Sequence, residues 1–242
     1  MPENTYVRVR VAGPYACFSR PEMKVERVSY EVMTPSAARG ILDAILWRPE
    51  MRWIIHRIGV LKPIRFTSVR RNEIQSKIPP SAVKQWMKQP EKYEPQTAGA
   101  GSMDATPRNT LALQNVAYVI EAEPRVYDPN SENHSAKYMA MFNRRVEKGQ
   151  CFHRPYLGCR EFACFFSYPN QDERPIEVSQ DLGLMLYDVV FQKKKMKEKE
   201  GVDNQAVFFH ARLEQGVMDT SPDRVIVDPG QREEVLRCSY MH

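Results

Sequence analysis

A histidine, a lysine and a tyrosine stand at i, i+3 and i+4 in the segment HSAKYMAMF: His134, Lys137 and Tyr138. On a helix, that spacing puts all three on neighbouring faces of the first turn. Metal-free cleavage of RNA asks for this kind of trio. The ribose 2′-hydroxyl is itself the nucleophile, so the protein need only supply a base, an acid and a cation beside the phosphate. A helix N-terminus adds N–H groups that favour phosphate. The plainer reading is a core aromatic, Tyr138, flanked by two solvated side chains, and the spacing fits both.

A second stretch, RRVEKGQCFHRPYLGCREF from Arg144 to Phe162, passes from a basic helix end through a glycine turn into an aromatic, arginine-bearing segment. Phe152 and Tyr156 could stack on bases while cations meet phosphates. The same aromatics also suit a core. Gly158 either releases a strained turn or lets a sugar-phosphate chain approach the backbone closely. The candidate RNA contacts are Arg20, Lys24 and Arg27 near the N-terminus, Arg70 and Arg71 further on, and Arg144, Arg145, His153, Arg154, Tyr156 and Arg160 in this stretch.

The formal charge of +5 and isoelectric point near 8.9 favour an anionic partner without requiring one. The histidines are scattered without HxH or HxxxH spacing, and the five cysteines lack CxxC spacing, so no metal, disulfide framework or cofactor is expected. A GxxxxGK loop for nucleotide phosphates is missing as well. The N-terminus lacks a signal-peptide pattern and no apolar run reaches the roughly 18 residues a membrane span needs, so a cytoplasmic protein without membrane contact is expected.

Valines 7, 9 and 11 alternate with Arg8 and Arg10, which predicts a half-buried strand over Tyr6–Val11. Thr34-Pro35 starts a helix reaching about Trp47, with Ala37, Ala38, Ile41, Leu42, Ile45 and Leu46 inward and Arg39 and Asp43 outward. Strands are expected over Trp53–Leu61, Ile64–Arg70 and Thr110–Glu121, and the apolar pattern lapses between about Asn72 and Asn109 into a long hairpin or loop. A second helix spans His134–Lys148 with Gly149 after its end. Strands at about Arg160–Ser167 and Leu184–Gln192 complete the order strand, helix, strand, strand, helix, strand, the ferredoxin-like (RNA-recognition-motif) arrangement of an α+β protein. The charged QKKKMKEKEG after Phe191 reads as a turn or linker. Residues 1–191 are therefore expected as the main domain, with an insertion near 72–109, and residues 192–242 as a small β-rich C-terminal domain with strands at Ala206–Leu213 and Arg224–Val227.

The segments ACFSRPEMKVERVSYEVMTPSAARGIL, LKPIRF, VRRNEI and RRVEKGQCFHRPYLGCREF closely resemble the subtype-d Cas-five proteins of type I-C CRISPR systems, in the RAMP superfamily. The resemblance implies a ferredoxin-like domain that cuts CRISPR precursor RNA at the base of the repeat hairpin without a metal. It further implies that the mature crRNA stays bound by its 5′ handle, in a complex with backbone and large subunits, and it leaves duplex DNA open as a further partner. Active family members carry a tyrosine late in the first helix and a lysine-histidine pair opening the second. Here only the lysine is matched, as Lys137; Leu46 stands at the tyrosine's place and Tyr138 at the histidine's. His134, one turn earlier, is the available imidazole. Two readings follow, a nuclease using Lys137, Tyr138 and His134, or a subunit that holds the handle without cutting. A general single-stranded nucleic-acid binder is a remoter third.

Overall fold

The alternation at Val7, Val9 and Val11 becomes strand β1 (Val7–Ala16), which buries the three valines while Arg8 stays solvated. The computed structural model describes residues 6–23, 25–99, 101–127, 134–195 and 200–237, with backbone alone over 191–195 and 200–204. After β1 come β2 (Arg27–Val28), α1 (Pro35–Ile45), β3 (Met51–Val60), β4 (Phe66–Ile74), α2 (Pro80–Lys88), a 3-10 turn at Pro90–Lys92 and β5 (Ala105–Val126). Then follow α3 (Ser135–Glu147), β6 (Phe165–Ser167), β7 (Gln180–Lys195), β8 (Glu200–Glu214), β9 (Val217–Asp219), α4 (Pro222–Val225) and α5 (Pro229–Arg237).

The strands join one mixed sheet in the order β6-β1-β5-β3-β9-β8-β7, with β2 and β4 also paired to β5. All pairings are antiparallel except β2 with β5. The 22-residue β5 organises the molecule. Its second half pairs with β1 and β3, and its first half forms with β4 a projecting hairpin that carries α2, none of whose residues is buried. Helices α1 and α3 both pack on this sheet and touch each other, and the Trp53 and Phe142 ring centroids lie 4.8 Å apart. Apolar side chains buried here are worth about 1.5–3 kcal/mol each.

Helix α1 begins as expected: Pro35 takes the first position and the Thr34 hydroxyl accepts the Ala37 N–H at 3.3 Å. It stops at Ile45, short of Trp47, because Leu46 turns to extended backbone. Arg39 and Asp43 do not face solvent, contrary to expectation. Arg39 is 8% exposed and its Nε and Nη2 donate to Asp188 of β7 at 3.1 and 2.9 Å, while Arg52 donates to Asp188 at 2.7 Å. Arg39 also pairs with Asp43 at 3.1 Å. The Asp188 carboxyl is opposed by burial, yet the Arg39 and Arg52 guanidiniums more than offset this and hold it below the ordinary carboxylate range. A partner 149 residues away drew the charge inward, and no local pattern announces it.

Two further expectations are corrected. The charged stretch after Phe191 continues β7 to Lys195, paired with β8, and 196–199 lie outside the described residues. Residues Arg224–Val227 are not a strand: Pro222 fits a helix's first turn, α4 forms there, and Arg224 pairs with Asp219 at 2.8 Å. Helix α5 went unread beyond it. Among the described residues no helix is long and apolar enough to cross a membrane.

Candidate nucleic-acid interface and active site

At the start of α3, His134 occupies the N-cap position without a side-chain bond to the helix, and the Ser135 hydroxyl instead donates to the Pro124 carbonyl of β5 at 2.8 Å. Each turn thereafter buries one side chain: Tyr138, Phe142 and Val146. His134 and Lys137 remain exposed, with the Lys137 Nζ 5.9 Å from the Tyr138 ring centroid. Tyr138 is only 2% exposed. Burial pushes its phenol above the ordinary value, the Glu50 carboxylate pushes further and Arg48 opposes both. A phenol so placed is unsuited to take a proton at neutral pH, and the lysine stands over its ring face. Leu46 is fully buried, and its carbonyl accepts the Trp53 indole N–H at 2.8 Å.

The segment after α3 turns at Gly149, whose φ of +62° suits glycine. It is then fastened to the end of α1: the Phe152 and His153 N–H groups donate to the Ala44 carbonyl at 2.8 and 3.3 Å, and the Arg145 guanidinium donates to the Ile45 carbonyl at 2.5 Å. These donors satisfy carbonyls that a helix end leaves without partners. Further on, the Cys17 N–H donates to the Leu157 carbonyl at 3.0 Å. Gly158 has φ +82°, and a Cβ there would stand 2.0 Å from the Cys17 carbonyl oxygen. The close approach read at Gly158 is thus used by the chain's own backbone.

Between these fastenings the segment displays Phe152, His153, Arg154 and Tyr156, with Arg160 beyond, and Phe152 is 78% exposed. Tyr156 and Gly158 also border a cleft of about 290 Å³ shared with Cys17, Ser19, Thr34, Ser36 and Gly40. Two more exposed aromatics, Phe165 and Tyr168, were not singled out from the sequence, although alternation in FACFFSY could have marked Phe165.

The candidate cations divide by what already holds them. Arg70, Arg144, Arg154 and Arg160 are exposed and make no ion pair or side-chain hydrogen bond with another described residue. Arg20 is bound to Glu31 at 3.0 Å and lies 4.5 Å from the Tyr30 ring centroid, and Arg27 pairs with Glu73 at 3.1 Å. Arg71 pairs with Glu161 at 3.3 Å and covers the Phe162 ring, so it ties the hairpin to the Gly158 loop. Arg145 is spent on Ile45. Lys24 lies outside the described residues.

Two groups therefore result, His134 with Lys137 at the start of α3 and the exposed aromatic and basic loop beyond its end. A 13-residue helix separates them by about 20 Å. Only an extended ligand spans both. Among the described residues no group of three His, Cys, Asp or Glu stands close enough to hold a metal ion.

Comparison with known proteins now bears on this arrangement. The family model Cas_Cas5d, for the CRISPR-associated protein (Cas_Cas5), matches residues 6–220. The chain belongs to the Cas5d family. It is 44% identical to the CRISPR pre-crRNA endoribonuclease Cas5d of Mannheimia succiniciproducens, over 89% of this chain and 95% of that protein. It is 38% identical to the CRISPR pre-crRNA endoribonuclease Cas5d of Thermus thermophilus, over 90% of this chain and 92% of that one. A crystal structure of a CRISPR-associated protein shares the fold with a TM-score of 0.58 at 22% identity, covering 88% of this chain and 90% of that one.

Proposed function

We propose that this Cas5d chain is an endoribonuclease that matures CRISPR precursor RNA without a metal, by attack of a ribose 2′-hydroxyl at the base of the repeat hairpin. One observation carries this reading: the chain matches two pre-crRNA endoribonucleases at 44% and 38% identity along about nine-tenths of its length. Lys137 is assigned as the cation or acid beside the phosphate and His134 as the proton acceptor, with Tyr138 packed beneath Lys137 as a support. The loop residues Arg154, Tyr156 and Arg160, with Arg144, hold the RNA. The cut product remains bound by its 5′ handle, and the partners are the backbone and large subunits of a type I-C surveillance complex in the cytoplasm, with duplex DNA as a further proposed partner.

A ferredoxin-like domain of the RAMP kind over residues 1–191, joined to a small β-rich unit at 192–242, belongs to the same proposal. The adjacency β6-β1-β5-β3 beneath α1 and α3 supports the first part, and strands β8 and β9 support the second. A second reading, binding of the handle without cutting, draws on Leu46 and Tyr138, both buried where the family resemblance expects a tyrosine and a histidine. Incubating the full chain with end-labelled repeat hairpin in excess EDTA separates the two. One cut ending in a 2′,3′-cyclic phosphate is expected; RNA that stays bound and intact would replace the nuclease by the handle binder.

A further inference from the structure

Gly158 brings two cysteines together. The Cys17 N–H bonds to Leu157 and the missing Cβ of Gly158 lets the two backbones touch, so Cys159 arrives beside Cys17 with its Sγ 3.7 Å from the Cys17 carbonyl oxygen. The Cys159 thiol donates to the Cys17 carbonyl oxygen, and the Ser19 hydroxyl lies 3.5 Å from the Cys17 sulfur. Cys17 also forms part of the wall of the 290 Å³ cleft, although it is only 1% exposed. A small solute in the cleft reaches the wall that Cys17 helps form, whereas a bulky reagent meets Cys151, which is exposed.

Polarity divides the pair's labour. The Cys159 thiol at its side favours a Cys17 thiolate; burial opposes it, and Ser19 and Arg27 assist, so the Cys17 thiol falls to about 7. The neighbouring Cys17 side chain, with burial, pushes the Cys159 thiol upward and keeps its proton. A thiolate beside a protonated thiol is the pairing of an attacking and a resolving cysteine.

We propose that Cys17 and Cys159 form an oxidative modification site for hydrogen peroxide, closing to a disulfide that ties the Gly158 turn to the end of β1. The Cys17 thiolate attacks one peroxide oxygen, the O–O bond breaks, hydroxide leaves and Cys17 becomes a sulfenic acid. The Cys159 sulfur then attacks Cys17, the S–O bond breaks as the S–S bond forms, and the departing hydroxyl leaves as water with the Cys159 proton. The two electrons given up by the sulfurs reduce the peroxide.

The test is a peptide map of the full reduced chain after brief peroxide treatment and alkylation, with no RNA present, so its result stands whether or not the proposed function does. The expected product is a Cys17–Cys159 linked peptide pair that disappears on reduction. Free Cys17 should be lost roughly tenfold faster than Cys164, whose thiol burial pushes up to about 12. A Cys159→Ser variant should trap Cys17 as a dimedone-reactive sulfenic acid; should that variant not fold, the wild-type map decides. Full alkylation of both cysteines, or a link from either to Cys151 or Cys238, overturns the proposal.

Discussion

At its C-terminal end, α1 has its last carbonyls occupied: Ala44 by the Phe152 and His153 N–H groups, Ile45 by Arg145, and the following Leu46 by Trp53. At its N-terminal end the Thr34 cap borders the open cleft, roofed in part by Tyr156 and Gly158. The same segment reaches both ends, along a helix about 16 Å long. One end is a closed joint and the other an open site. A loop nailed down at the closed joint can hold aromatic and basic side chains outward at fixed places with almost no regular structure of its own, and it does so beside a space that a ligand can enter.

The joint itself depends on α1 staying seated, so the largest effect is expected where Arg39 fastens the middle of the helix. Asp188→Ala leaves two buried guanidiniums without their shared carboxylate and should cost about 3–5 kcal/mol in denaturant unfolding. The carboxyl of Asp188 lies below its unfolded value of about 3.9, so its contribution is complete above that pH and is lost as pH falls through the folded value. Melting temperature should therefore drop more steeply in wild type than in Asp188→Asn below about pH 4. Equal slopes would remove Asp188 from the account.

Gly158→Ala attacks the open end. The new methyl meets the Cys17 carbonyl and the positive φ is strained, so a cost of at least about 2 kcal/mol and weakened RNA binding are expected. Unchanged affinity would separate the cleft from RNA. Arg145→Met breaks the closed joint more mildly, by about 1–2 kcal/mol, because a single helix carbonyl loses its donor. Smallest is Arg154→Ala, which should leave stability alone, weaken binding alike for all sequences and lower the salt slope of affinity by about 1. A slope that does not move would show that Arg154 faces no phosphate.

Much of this arrangement is legible locally. Thr34-Pro35, the i+4 spacing of Tyr138, Phe142 and Val146, and Gly149 mark helices α1 and α3 to within a residue or two, because caps and periodicity act over one turn. Exposure of Phe152 and Tyr156 could not be told from core packing by residue type, since both readings use the same aromatics. What escaped the sequence depends on distant partners. Arg39 and Asp43 look solvated until Asp188 arrives from β7, and Gly158 looks like a ligand contact until Cys17 occupies the space. Tyr138 shows the same limit: helical spacing sets it beside Lys137, but burial decides its chemistry.

The central claim is a division of labour, with cutting at the start of α3 and holding in the loop beyond its end. The most direct test measures, on one Lys137→Ala preparation, both cleavage of repeat hairpin RNA and its affinity. The account predicts no product over a time in which wild type finishes, with affinity unchanged. Cleavage at the wild-type rate would contradict it.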